Sequence, residues 1–462
     1  MTISTLLVAN RGEIAVRIVR AARELGMRTV VAHSPADGDS LAVRFADGAV
    51  EIGQPPAAKS YLDVEATLAA AQQCGADAVH PGYGFLAENA DFADAVEAAG
   101  LTFVGPEGAT IRLMGDKVAA REVAAKAGVP TVAGSAGRID SPESARAVVA
   151  RIGFPVLIKA AAGGGGRGIR VARDQAEFDR LVPQAGTEAR AAFGDGGVYV
   201  EKYIRRARHI EVQVLGDGEN VVHCFERECS LQRRRQKVWE EAPAVSLSEP
   251  VRQALCTSAV SLARSVRYRG AGTLEFLYDD STEAFHFLEM NTRIQVEHPV
   301  TECITGIDLV REMLKVAGGE PLRLRQEDIT ANGHAIECRI NAEDPANGFL
   351  PAPGVMESLM TPGGPGVRFD TMLYPGCAIP PFYDSLLGKL VVWDDSRANA
   401  MRRMARALAE LELSGVKTTK PLHQALAADR DVRNASIHTE FLEQWLEREA
   451  RSLRSHREVT TS

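Results

Sequence analysis

Five polar residues alternate along one stretch of this chain: Glu289, Asn291, Arg293, Gln295 and Glu297. Side chains of an extended strand point alternately to its two faces, so a period of two sends all five to one side. Met290, Ile294 and Val296 occupy the opposite side, which is then the one turned toward protein. A solvated edge strand would carry lysine, threonine and mixed charge. This stretch instead follows directly on the apolar run 285–288, and a polar cluster beside a buried strand needs a reason. Glu275 lies in the otherwise apolar Gly272-Thr273-Leu274-Glu275-Phe276-Leu277. If that strand pairs with the one ending at Glu289, the two carboxylates converge, and buried carboxylates repel unless a cation lies between them. Mg2+ fits such a place through one or two carboxylates plus phosphate oxygens, and Asn291 offers a third oxygen. The plainer alternative, a glutamate neutralised by a nearby arginine, suits Glu275 better than Glu289.

A second feature is the run Gly163-Gly164-Gly165-Gly166-Arg167-Gly168, which lies between two strand-like segments, 156–160 and 169–172. Glycine weakens a strand, so four in a row mark backbone that moves or approaches a ligand closely. Lys159 precedes the run and Arg167 follows it. Backbone N–H donors and point cations together suit a phosphate tail. The loop is not a P-loop: Gly115-Asp116-Lys117 and Gly388-Lys389 both lack the hydroxyl residue after lysine. A mobile glycine hairpin served by separate lysines is the pattern of ATP-grasp enzymes.

The elements that must hold these groups fall into three regions. The first, 1–113, has a βαβ texture: strands at 6–9 and 29–32, a helix with Ile14, Ile18, Ala22 and Leu25 on one face, and further strands at 76–80 and 101–104. Its first turn reads Asn10-Arg11-Gly12-Glu13 where a dinucleotide fold wants GxGxxG, so a parallel sheet serving as scaffold is expected. The second, 114–332, holds the glycine loop and the paired strands 273–278 and 284–289. The third, 333–446, has short strands between Pro/Gly-rich turns and a helix with Met401, Met404, Leu408 and Leu411 in one stripe. Residues 447–462 read as a polar tail. The expected class is α/β and α+β. The 462 residues are 45% hydrophobic and 25% charged, with Lys plus Arg 53 against Asp plus Glu 61 and a net charge of -8. That balance argues against nucleic-acid or anionic-membrane binding, and neither a membrane span nor a signal peptide is read, so a cytoplasmic location is expected. Seven scattered cysteines without CxxC spacing suggest neither a disulfide framework nor a zinc site.

Several segments together resemble the biotin carboxylases: Asn10-Arg11-Gly12-Glu13-Ile14-Ala15, His80-Pro81-Gly82-Tyr83-Gly84-Phe85-Leu86, Arg112-Leu113-Met114-Gly115-Asp116-Lys117, Gln232-Arg233-Arg234, 289–301, and Glu337-Cys338-Arg339-Ile340-Asn341-Ala342-Glu343-Asp344. The resemblance covers about residues 1–445. It implies an ATP-grasp fold with an N-terminal parallel-sheet domain and a C-terminal α+β domain. It also implies site roles. Lys117 and Lys159 would meet the ATP phosphates beneath a lid at about 131–203 that carries Gly163, Gly164, Gly165 and Gly166. Glu201, Lys202 and Ile204 would form the adenine strand, His209 would touch nucleotide, and Gln232 and Lys237 would stand at the phosphate and bicarbonate end. Glu275, Glu289 and Asn291 would hold Mg2+ or Mn2+. Arg293, Gln295 and Val296 would form the bicarbonate pocket with Glu297 as general base, Arg339 would stabilise the biotin enolate, and Tyr83 would contact biotin.

The implied reaction begins when Glu297 takes the proton of bicarbonate, which attacks the γ-phosphorus of ATP to give carboxyphosphate. Carboxyphosphate then yields CO₂ and phosphate in a closed site, and biotin, deprotonated by that phosphate, is carboxylated while Arg339 holds its oxyanion. No Met-Lys-Met biotinyl turn occurs and no carboxyltransferase region is seen, so a biotin carboxyl carrier protein and carboxyltransferase acting in trans are expected, with a homodimer possible. Four positions depart from the family: Ala162 in the lid, Arg235 and Trp239 around the QRRxQK motif, and Pro365 near the family's dimer contact. A different ATP-grasp ligase would lack the Arg339 segment, and a degenerate regulatory protein would have lost Lys117, Glu289, Glu297 or Arg339.

Overall fold

A computed structural model describes residues 3–135, 137, 139, 141–160, 170–193 and 196–449. Gly163, Gly164, Gly165 and Gly166, with Ala162 and Arg167, lie outside the described residues, as do 450–462 of the expected tail.

The N-terminal strands Thr5–Val8, Arg28–His33, Ala78–His80 and Thr102–Phe103 form a parallel sheet. Leu6, Leu7 and Val8 are fully buried, as continuous apolar runs in two-sided parallel sheets should be. A fifth strand, Gly48–Glu51, pairs at the edge beside Arg28–His33. Its short, half-exposed Gly-Ala-Val-Glu gave no periodic signal in sequence. The chain begins in the middle of this sheet and winds outward both ways, so the topological switch falls between Thr5–Val8 and Ala78–His80. Ligand sites of open α/β sheets gather at the carboxyl ends of such strands. The Asn10 and Pro81-Gly82-Tyr83 loops meet there: Asn10 Nδ2 donates to the carbonyls of Pro81 (2.6 Å) and Tyr83 (2.8 Å). Gly82, at φ +63, lies so close that a Cβ would sit 2.9 Å from that same nitrogen. The two switch loops are thus bound to each other at that edge of the sheet.

The helix Gly108–Gly115 runs through position 113, and the chain changes direction at Asp116, which caps the next helix, Lys117–Lys126. The segment that the resemblance implies as a lid contains a small antiparallel sheet, Arg170–Ala172, Val156–Ala160 and Val198–Lys202, with its own core around Val156, Ile158, Phe178 and Val200.

The rest of the middle region and the third region share one eight-stranded antiparallel sheet. Its order is Ala284–Asn291, Arg269–Asp279, Arg208–Asp217, Val221–Arg233, Gln236–Ala242, His334–Asn341, Leu386–Asp394 and Val367–Thr371. Ile210, Val212, Val214, Leu274 and Phe276 alternate onto a face packed by the helix Glu249–Ser265. Their neighbours His209, Glu211, Gln213, Thr273 and Glu275 necessarily point the other way. Trp239 is buried in the core of the C-terminal end, among Ile336, Met404 and Leu408, with Nε1 donating to Glu241 at 2.9 Å. It is thus a packing residue. Arg234 and Arg235, both at positive φ, form the two-residue hairpin turn that follows Val221–Arg233.

Candidate active site

Sheet register assembles a charged row. Glu289 faces Glu275 across one strand pair, Glu275 faces Glu211 across the next, and Glu211 faces Arg227 across the third. Like charges directly opposite one another in a sheet are destabilising unless countered. Lys237 counters them, with Nζ 2.9 Å from Glu275 and 2.8 Å from Glu297, and also paired to Glu211. His209 lies between Glu211 (2.9 Å) and Glu275 (3.1 Å). Burial alone would lower its pKa, but Glu275 and Glu211 raise it to about 9, so it carries charge at neutral pH. Arg227 is completely buried and donates to Glu211 (2.9 Å), Gln213 (2.8 Å), Thr273 (2.9 Å) and Gln295 (2.6 Å).

At the end of the row, Glu289 has no ion pair among the described residues. Burial first, and Glu275 second, raise its carboxyl above the usual range, against the lowering effect of Lys117. Asn291 shares this corner: its Nδ2 donates to Glu275 at 2.7 Å, and its Oδ1 accepts from Arg293 at 3.2 Å. Glu289, unpaired among the described residues, with Glu275 opposite and the Asn291 amide beside it, offers oxygen donors of the kind a hard divalent cation takes. The residues fit that group.

The polar ladder converges, but not as a strand. The ladder hydrogen bonding ends at Asn291, and residues 292–297 form an irregular turn into the helix His298–Thr305. Asn291, Gln295 and Glu297 are buried nonetheless. Gln295 accepts from Arg227 and donates to Glu275 at 2.9 Å. Arg293 Nε lies 3.1 Å from Glu88 on the first region. Glu297 accepts from Lys237 through Oε1 and from Arg339 through Oε2, the latter at 2.9 Å. Burial on its own would raise this carboxyl, yet Lys237, Arg339 and Arg227 hold it well below the carboxylate range. Arg339 also gives Nε to Glu240 at 2.6 Å. The Glu240 carboxyl is pushed up to about 7 by burial, against the opposing pull of Arg339.

The other expected residues are placed as follows. Lys117 begins its helix, exposed and within electrostatic reach of Glu289. Lys159 and Arg121 both pair with Glu201. Lys202 turns back onto its own region, donating to the carbonyls of Gly153 (3.2 Å) and Phe154 (2.8 Å), and its N–H is taken by Ala133. Ile204 is half-buried just beyond that strand. Gln232 is buried and donates to the Cys229 carbonyl at 2.9 Å. The Tyr83 hydroxyl donates to Glu13, and the Val296 carbonyl accepts from Lys389 at 2.8 Å. Sequence reasoning missed Glu211, Arg227, Glu240 and Glu88. For Glu211 the signal was present: His209, Glu211 and Gln213 alternate with Ile210, Val212 and Val214, as the Glu289 ladder does.

The chain matches known families along nearly its whole length. Residues 2–111 match "Biotin carboxylase, N-terminal domain", 116–325 match "Carbamoyl-phosphate synthase L chain, ATP binding domain", and 337–444 match "Biotin carboxylase C-terminal domain". A biotin carboxylase of Pseudomonas aeruginosa is 52% identical over 443 residues, covering 96% of this chain and 98% of the relative. A pyruvate carboxylase subunit of Methanothermobacter thermautotrophicus is 48% identical, over 96% of this chain and 90% of its own length. Among solved structures, the biotin carboxylase domain dimer of Hydrogenobacter thermophilus 2-oxoglutarate carboxylase, in complex with MgADP, ADP and bicarbonate, superposes with a TM-score of 0.89 at 47% identity, covering 96% of this chain and 98% of that one. No helix among the described residues is long and apolar enough to cross a membrane. An acidic row that calls for a cation, a buried glutamate shared by Lys237 and Arg339, and matches that run from one end of the chain almost to the other converge on one conclusion: this chain belongs to the biotin carboxylase family.

Proposed function

We propose that this chain carboxylates biotin held on a carrier protein, using ATP and bicarbonate and passing through carboxyphosphate. The observation that carries the reading is the position of Glu297. It is bonded on one side to Lys237, which belongs to the acidic row, and on the other to Arg339. A proton acceptor placed there joins a phosphoryl-transfer end to an oxyanion-holding end.

Glu275, Glu289 and Asn291 would hold Mg2+ or Mn2+, and that ion supplies charge neutralisation on the ATP phosphates. Lys117 and Lys159 bring further positive charge to the phosphates, with the adenine side formed by Glu201, Lys202 and Ile204. Arg293, Gln295 and Val296 orient bicarbonate, and Glu297 accepts its proton as its oxygen attacks the γ-phosphorus. A carboxylate held so low is a weak base while Lys237 sits on it. Drawing Lys237 toward a phosphate removes one counter-charge and makes Glu297 more basic when ATP is present. Carboxyphosphate then gives CO₂ and phosphate, the phosphate takes the ureido proton of biotin, and Arg339 holds the resulting oxyanion while nitrogen attacks CO₂. Tyr83 lines the biotin side.

The three-part division 1–113, 114–332 and 333–446 organises this work, with the third part carrying Arg339. Partners in trans are a biotin carboxyl carrier protein and a carboxyltransferase, in the cytoplasm. The dimeric Hydrogenobacter domain supports a homodimer. Relatives named for pyruvate and 2-oxoglutarate carboxylases differ in their final acceptor, and we assign that choice to the carboxyltransferase.

The direct test is ADP release with and without bicarbonate and free biotin. The reading expects release that depends on bicarbonate and ¹⁴C incorporated into biotin; ADP release indifferent to bicarbonate would exclude it. For the metal site, Glu289→Gln is expected to raise the Mg2+ concentration for half-maximal rate by at least about 10- to 100-fold, the scale of losing even an outer partner of a metal ligand. It should also shrink the thermal stabilisation that Mg·ATP confers. A parental Mg2+ requirement, in both rate and melting temperature, would clear Glu289 of the role.

A further inference from the structure

Two sequence features are used neither by the phosphate end nor by the bicarbonate pocket: Glu13 of Asn10-Arg11-Gly12-Glu13, and the lysine of Gly388-Lys389. In the folded chain they meet. Lys389 Nζ lies 3.0 Å from Glu13 Oε1, with the two side chains 0% and 1% exposed. The same ammonium donates to the Val296 carbonyl at 2.8 Å. The Tyr83 hydroxyl donates to Glu13 Oε1, while Glu13 Oε2 has no hydrogen-bond partner among the described residues. Lys389 is also the direct cross-strand partner of Arg339. Two cations facing each other in a sheet are unfavourable unless each has its own acid. Arg339 has Glu240 and Glu297, and Lys389 has Glu13.

A fully buried ion pair is a poor way to stabilise a fold, since apolar residues of similar volume often do as well or better. This one grips a backbone carbonyl in the segment where support is most needed. Residues 292–297 have left the sheet ladder, so no strand among the described residues pairs with them. The Val296–Glu297 peptide is planar and trans, so an ammonium on its carbonyl sets the plane from which Glu297 departs and aims the Glu297 N–H away from Lys389.

We propose that Lys389 and Glu13 are a positioning pair for carboxylation: they hold the Val296–Glu297 peptide in register with Arg339 and, through the Tyr83 hydroxyl, tie the N-terminal switch loop to the same arrangement. This rests on the carboxylation reading above. Neither residue touches substrate; both act through Glu297 and Tyr83.

The experiment uses the full chain with Glu13→Gln and Lys389→Met together, so that no buried charge is left alone. The double variant is expected to melt as a folded protein and to bind ATP as the parent does. Its kcat for bicarbonate-dependent ADP release should fall about a hundredfold, the scale of a reacting group displaced by about 1 Å, with a raised KM for bicarbonate. A merely structural pair would change the melting temperature and leave kcat and KM alone, and that result overturns the inference. If the double variant does not fold, Lys389→Arg decides. It keeps the charge but replaces a point donor with a wider planar head, so it should bind ATP normally and lose turnover, whereas parental kcat in it is equally fatal. A parent chain with no bicarbonate-dependent turnover would sink the carboxylation reading and this inference with it; parental rates in the variants sink the inference alone.

Discussion

Glu297→Gln is expected to lower bicarbonate-dependent ADP release by about 100- to 10,000-fold, the contribution of a positioned general base, while leaving ATP affinity close to that of the parent. The substitution keeps size and hydrogen-bonding shape but removes the proton acceptor. It should not unravel the site, because both cations that grip Glu297 have other acids: Lys237 keeps Glu211 and Glu275, and Arg339 keeps Glu240. The parent also carries a pH signature. Lys237, Arg339 and Arg227 overcome the effect of burial and hold the Glu297 carboxyl well below 4.5, so it is ionised at neutral pH. With ATP absent, titration of Glu297 should appear only on the acid side of pH 4.5. Single-turnover ADP release from the Gln variant, measured beside the parent at saturating ATP, checks the assignment. A loss of only a few-fold would remove Glu297 from the role of base.

Arg339→Ala should reduce biotin carboxylation by about a hundredfold or more, the scale of losing one donor from an oxyanion site. The same change takes the cation from between Glu240 and Glu297. Glu240 loses its ion-pair partner, and its carboxyl, already at about 7, rises further and is neutral at physiological pH. That protonation softens the cost to folding, so the variant should remain folded and bind ATP. Arg339→Lys restores charge without the planar fork that reaches Glu240 through Nε and Glu297 through its terminal nitrogen, and should recover little of the lost rate. Carboxylation of free biotin, followed by ¹⁴C incorporation, is the measurement; an undiminished rate in Arg339→Ala would exclude Arg339 from the mechanism.

The sequence by itself determined which residue types were available and which way they pointed. Period-two alternation identified the Glu275 and Glu289 strands and their polar face, and the two strands pair with those carboxylates directly opposed. The βα alternation of the first region, the strand before the glycine loop and the Met401 helix were equally legible, because each is written in local periodicity. The Glu289–Glu297 ladder shows where local reading stops. It predicted one continuous strand, whereas the strand ends at Asn291 and a turn leads into the helix beginning at His298. Its polar residues still converge, because Arg227 and Lys237 of one hairpin bond to Gln295 and Glu297 and Glu88 of the first region pairs with Arg293, while Lys389 of the third region holds the Val296 carbonyl.

Only the tertiary structure decided which strands are neighbours. Alternation tells a side chain its face, but not what stands across from it, and strand order depends on long-range pairing that no short window contains. The continuous sheet from Glu289 to Lys389 places the acids of the middle region beside the arginine of the third. Once in that order, each buried charge must be neutralised by whatever the next strand presents. That requirement turns Glu211, Arg227 and Glu240 from unremarked residues, and Glu13 from a motif residue with no assigned role, into parts of one electrostatic arrangement.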